Sequence, residues 1–150
     1  MKNYFIIILF LFITGCGFTP VYKDFSNENL NIRIERFSGD KTVNDTINNK
    51  LNIVSDENSD NIYVLNIDTN LNKIPISKDK KGNTTIFKLT ASSKIDIKFK
   101  SNNKIVSINQ SSNLESSNDN FDTDTYERTI KENFGTSIAN EIILVLNSMK

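Results

Sequence analysis

Phe87-Lys88-Leu89-Thr90-Ala91-Ser92-Ser93-Lys94-Ile95-Asp96-Ile97-Lys98-Phe99-Lys100 is the stretch on which the reading of this chain turns. Apolar side chains at Phe87, Leu89, Ala91, Ile95, Ile97 and Phe99 alternate with Lys88, Thr90, Ser92, Lys94, Asp96, Lys98 and Lys100. Successive side chains of a β-strand point to opposite faces, so this period of two describes a strand with one face buried and one face wet. Upstream, Ile62 to Ile76 repeats the pattern. Tyr63, Leu65, Ile67 and Leu71 share one face, with Asn66, Asp68, Asn70 and Asn72 opposite. The link between the two runs, Lys78-Asp79-Lys80-Lys81-Gly82-Asn83, has the Gly/Asn/Asp chemistry of a turn, which makes the pair a β-hairpin. Downstream, Ser101-Asn102-Asn103 turns the chain into a third strand, Lys104 to about Leu114, and the three strands form a meander. A polar loop, Glu115 to Thr123, follows.

Further out in both directions the pattern changes. Leu30, Ile32 and Ile34 alternate with Asn31, Arg33 and Glu35, a half-buried strand that Ser38-Gly39-Asp40 breaks. Asp40 is placed to cap a helix in which Val43, Ile47, Leu51 and Val54 recur at helical spacing. At the other end, Asp124 and Glu127 form a capping-box-like start. Tyr126, Ile130, Phe134, Ile138, Ile142 and Val145 then run down one helix face, widened by Ile143, Leu146 and Met149, and read as core. Gly135 costs about 1 kcal/mol relative to Ala in mid-helix and marks either a close packing point or nothing. The expected fold is α+β: a two-layer sandwich in the order β-α-β-β-β-α. It has a four-stranded, mostly antiparallel sheet with both helices on one face. The other face carries Thr, Ser, Asn and Lys, and no helix remains to cover it. It is therefore wet or meets a partner.

Composition narrows the function. The chain has 150 residues, 18 Lys+Arg against 18 Asp+Glu, no His, no Trp and one Cys. A zero formal charge argues against nucleic acid as a partner. Without His, and with one thiol, neither a zinc site of the usual kind nor a Ser-His-Asp or Cys-His centre can be built. Asp119, Asp122 and Asp124 lack the spacing and distal Glu of a calcium loop. Asp68, Asp96 and Glu115 show no spacing that asks for acid–base chemistry. The expectation is a protein that is not an enzyme, with no catalytic residue, no metal and no cofactor.

The N-terminus is a targeting segment. Lys2 precedes ten apolar residues, Tyr4 to Ile13, and then Thr14-Gly15-Cys16, the order of a secretory signal. Ten residues rise about 15 Å as a helix, half a bilayer core, too short to span it. Ile13-Thr14-Gly15-Cys16 resembles the bacterial lipobox. That resemblance implies cleavage between Gly15 and Cys16 and a diacylglycerol on the Cys16 thiol. The covalent lipid on Cys16 then anchors the chain to a membrane. Residues 1–15 are read as the lipoprotein signal peptide, 16–29 as a lipidated N-terminus and tether, and 30–150 as the α+β domain. Gly17 stands where Asp would retain a Gram-negative lipoprotein at the inner membrane, which favours the outer membrane.

Cys16-Gly17-Phe18-Thr19-Pro20-Val21-Tyr22, followed by strand–helix–strand–strand–strand–helix, resembles LptE, the LPS-assembly lipoprotein family. The motif match covers those seven residues, and the match in organisation covers nearly the whole chain. The resemblance implies an outer-membrane lipoprotein on the periplasmic side that assembles with and plugs the LptD-type β-barrel for lipopolysaccharide transport to the cell surface. A lipoprotein accessory subunit of another envelope complex, of the ABC lipid-transport kind, is the alternative. Lys78, Lys80 and Lys81 crowd the hairpin turn, and Lys88, Lys94, Lys98 and Lys100 are expected along the polar face of the following strand. Lysine binds phosphate as a point charge, so Lys78, Lys80 and Lys81 are the candidate lipopolysaccharide-binding residues. The plain alternative is a solvated strand whose lysines deter edge pairing.

Overall fold

Alternating hydrophobicity and two amphipathic segments have to bury their apolar sides against each other, and the computed structural model of the chain shows how they do it. Residues 30–116 and 120–149 are described. The expected signal peptide, Gly15–Cys16 cleavage position and tether lie outside them. The elements are β1 (Asn31–Gly39), α1 (Lys41–Val54), β2 (Ile62–Lys78), β3 (Thr84–Phe99), β4 (Asn102–Glu115) and α2 (Asn120–Asn147). The four strands form one sheet in the order β1-β2-β3-β4. β1 runs parallel to β2, and the other two pairs are antiparallel. The parallel pair follows from the connection: α1 carries the chain back so that β2 starts at the same end as β1, as a βαβ unit requires.

One face of this sheet is the core. Tyr63, Leu65 and Ile67 of β2 lie opposite Phe99, Ile97 and Ile95 of β3, and all six are buried. Tyr63 and Phe99 stack at 4.3 Å between ring centroids. Val43, Ile47 and Leu51 of α1 and Ile130, Phe134, Ile138, Ile142 and Leu146 of α2 close the same core from above. The hairpin, the meander and the two-layer order expected from the sequence are all present. The last turn is tighter than expected: the strands close at the Phe99–Asn102 pair, and Lys100 takes a left-handed φ of 53°.

Two glycines sit where segments approach most closely, one between neighbouring strands and one between the helices. Gly39, at φ 96°, lies so near β2 that an added Cβ would fall 1.6 Å from the Thr69 carbonyl oxygen. Its neighbours across the sheet are also small: Thr69 pairs with Gly39 and with Ser93. The Thr69 and Ser93 hydroxyls, both buried, hydrogen-bond each other at 2.9 Å. Gly135 is the second position. A Cβ there would meet the Thr46 side chain at 2.6 Å and the Val43 carbonyl oxygen at 2.8 Å. The mid-helix glycine is therefore the point where α2 crosses α1.

The C-terminal helix departs from the sequence reading. It already includes Asn120 to Asp124, which the sequence reading placed in the loop and at the cap, so Asp124 is no cap. Asp122 is the acidic residue of the first turn. Tyr126, expected in the core, is half exposed at 50%. Tyr126 lines a surface hollow with Glu115 and Ser116 at the end of β4.

Candidate functional site

Three surfaces stand out: the hairpin tip, the uncovered face of the sheet, and a line of ion pairs fastening the two layers. The tip is built by one carboxylate. Asp79 accepts hydrogen bonds from the Lys81 N–H at 2.8 Å, the Asn83 N–H at 2.9 Å and the Asn83 side-chain amide at 3.0 Å. These bonds, led by the Asn83 amide, hold the Asp79 carboxyl below its ordinary pKa. Gly82 supplies the left-handed residue at φ 88°. Lys78, Lys80 and Lys81 are all exposed around this turn. Among the described residues none of the three makes an ion pair. The structure thus brings the three predicted lysines together on a fixed loop, with their charges unneutralised.

It does not join them to the rest of the basic stripe. Lys88, Lys94 and Lys98 are exposed on the uncovered face, but ten residues of strand separate Lys88 from Lys98, about 34 Å. Lys98 lies 3.8 Å from Glu35. Lys100, expected on the same face, sits in the turn at the far end with its Nζ 4.7 Å over the Phe99 ring. The reason is the tight two-residue turn, which takes Lys100 out of the strand.

The uncovered face has its own chemistry. Asn70 pairs with Ser92, and Ser92 with Asn109; Asn72 pairs with Thr90, and Thr90 with Ser111. The middle of the face is a field of amides and hydroxyls without charge. Charged rows lie to either side: Asp68 beside Lys94, and Lys88. Arg36, Asn66, Asp68, Lys94, Asp96 and Ile105 line a shallow hollow of about 200 Å³. Among the described residues no element covers this face, and no group of His, Cys, Asp and Glu side chains could hold a metal ion.

The fastening line was not read from the sequence. Lys73 Nζ donates to Glu127 Oε2 at 2.7 Å and lies 4.7 Å over the Phe87 ring. Lys131 Nζ stands 3.0 Å from Glu127 Oε1 and 3.4 Å from Asp40 Oδ2. Asp40 in turn caps α1, its Oδ1 accepting from the Val43 N–H at 3.0 Å. One chain of alternating charge therefore ties β2, α2 and the start of α1. Burial pushes the Glu127 carboxyl upward, but its hydrogen bonds from Lys73 and Lys131 outweigh this and its pKa is lowered. Burial likewise works against the Lys131 ammonium, and Glu127 and Asp40 together raise its pKa. A signal existed in the sequence: Lys73 occupies an inward position in the period-two register that contains Leu71.

No protein-family model matches the chain, and no curated protein does. Solved structures do match. Rare lipoprotein B from Shewanella oneidensis superposes with a TM-score of 0.63 at 12% identity, over 81% of this chain and 96% of that one. A candidate lipoprotein of Caulobacter crescentus gives a TM-score of 0.52 at 14% identity, over 77% of this chain and 88% of that one. At such identities the likeness is one of fold. Both structures are described as lipoproteins, and what this chain shares with them is the architecture of the domain.

Proposed function

We propose that this chain is an outer-membrane lipoprotein, held by a lipid on Cys16, that acts by assembly rather than catalysis. Its partner is an LptD-type β-barrel, whose lumen it plugs, and the complex passes lipopolysaccharide to the cell surface. The observation that carries this reading is the bare, neutral-polar sheet face centred on Asn70, Ser92 and Asn109, on a fold shared with rare lipoprotein B. A water-lined barrel interior is polar. A field of amides and hydroxyls can hydrogen-bond to it directly or through water without the desolvation cost of burying charge. The hairpin lysines, free of ion pairs, then offer point charges to the phosphates of lipopolysaccharide.

Affinity purification of the chain from membranes, with mass spectrometry of what accompanies it, tests the assembly. A large outer-membrane β-barrel should copurify, and Asn70→Arg with Ser92→Arg should release it while the thermal transition stays in place. A chain that emerges alone, or with an inner-membrane ATPase complex, overturns the reading. Replacing Lys78, Lys80 and Lys81 together by Glu should abolish lipopolysaccharide binding in a direct assay; undiminished binding would remove the lysines from the site.

A further inference from the structure

The uncovered sheet face is not uniform. In its middle, the row Asn70–Ser92–Asn109 is followed by the row Asn72–Thr90–Ser111. Successive rows on one face stand about 7 Å apart. A wall that slid along the strands by one row would meet amides and hydroxyls again, so the middle supplies adhesion without fixing a position. The neighbouring rows differ. One runs Ser38–Asp68–Lys94–Ser107 and the next Arg36–Asn66–Asp96–Ile105, each across all four strands. They set Arg36 and Lys94 with Asp68 and Asp96 around the shallow hollow of about 200 Å³. Arg36, Asp68 and Lys94 are exposed, and Asp96 is half-buried. Asp68 takes the Ser38 hydroxyl at 2.7 Å. Among the described residues none of the four closes an ion pair, although Asp68 and Lys94 are direct cross-strand neighbours. Elsewhere on the domain opposite charges within reach do meet, as at Lys73–Glu127 and Lys131–Asp40.

We propose that Arg36, Asp68, Lys94 and Asp96 set the register of this domain against the barrel wall, which answers them with basic groups opposite the two aspartates and acidic groups opposite the two cations. The inference rests on the assembly reading and adds to it the part of the face that fixes position. The four charges sum to zero, so they draw no partner by net attraction. Their order carries the information: positive on β1 and negative on β3 in one row, negative on β2 and positive on β3 in the next. In a shifted register each of these charges loses its water and meets a like charge or none, which is costly. In the matched register all four are satisfied. Such a pattern excludes wrong placements more than it strengthens the right one. Ile105, 62% exposed, lines the β4 side of the hollow and sheds water in the same contact.

The full chain, purified from membranes with its partner, is compared with two variants. Arg36→Glu, Asp68→Lys, Lys94→Glu and Asp96→Lys together reverse the pattern at unchanged net charge. Barrel recovery should then fall by about tenfold or more, with an unchanged circular dichroism spectrum. Arg36→Gln, Asp68→Asn, Lys94→Gln and Asp96→Asn together extend the neutral field. The barrel should still copurify, but a photo-crosslinking residue at Ser111, which joins one barrel segment in the wild-type background, should now join several. If the wild-type chain brings down no barrel, the assembly reading falls and this inference falls with it. If the barrel is present, three results overturn the register proposal alone: undiminished recovery with the reversed pattern, a neutral variant that crosslinks only at the wild-type position, or a crosslink to a second copy of this chain. Should the reversed variant fail to fold, the crosslinks of the neutral one decide.

Discussion

The two faces of one sheet are made by alternate residues of the same strands, yet they differ in everything physical. On the inner face Leu65, Ile67, Ile95 and Ile97 are buried to 1% exposure or less. On the outer face Asn70, Ser92 and Asn109 look into solvent. The inner face holds the fold together, and the outer one takes no part in the core. The difference teaches that strand registry, fixed by burial on one side, displays a precise arrangement of amides and hydroxyls on the other at little cost to stability.

That contrast can be broken from the inside first. Leu65→Ala should lower stability by about 2–5 kcal/mol, the cost of a cavity in a closed core, read as an earlier midpoint in denaturant. Gly135→Ala is a gentler test of the same layer. The new methyl meets Thr46 and Val43, so the expected loss is about 1–3 kcal/mol from overpacking, even though Ala is the better helix former. A gain in stability would mean that α1 and α2 separate more easily than the geometry implies. The ion line between the layers comes next. The Glu127 pKa is lowered from its ordinary 4.5, so the stability it lends is present above that pH and is lost as pH falls through the folded value. The Lys131 pKa is raised from 10.5, so its share is full below that pH and is lost as pH rises through the folded value. Glu127→Gln should therefore cost up to about 1 kcal/mol at neutral pH, the range of partly exposed pairs, and flatten the decline in acid. A pH–stability curve unchanged by the substitution would remove the ion line from the account. Ser92→Ala, on the outer face, should shift stability by no more than about 0.5 kcal/mol; a larger loss would show that the face is structural after all.

Much of this was legible because period-two patterning survives tertiary packing. The strands announce themselves wherever a neighbour covers one side and water the other, and Asp40 is read as a cap because its short carboxylate can reach the Val43 N–H. The start of α2 was not legible. Asp124 and Glu127 carry the local pattern of a capping box, but the helix already includes them, and Glu127 is engaged by Lys73 from a strand 54 residues away in sequence. The candidate lysines divide in the same way. Lys78, Lys80 and Lys81 cluster because they are local to one turn, whereas Lys100 leaves the expected stripe because the turn closes at Phe99 and Asn102.

The sequence by itself determined the order of elements, the buried face of each strand and the absence of a histidine-based centre, since these depend on residue type and on neighbours a few positions away. Only the tertiary structure decided that β1 joins β2 in parallel, that Gly39 and Gly135 are places where chains nearly touch, and that Lys73, Glu127, Lys131 and Asp40 form one line. Each of these is a meeting of residues far apart in the chain, and distance along a sequence carries no record of distance in space until the core has closed.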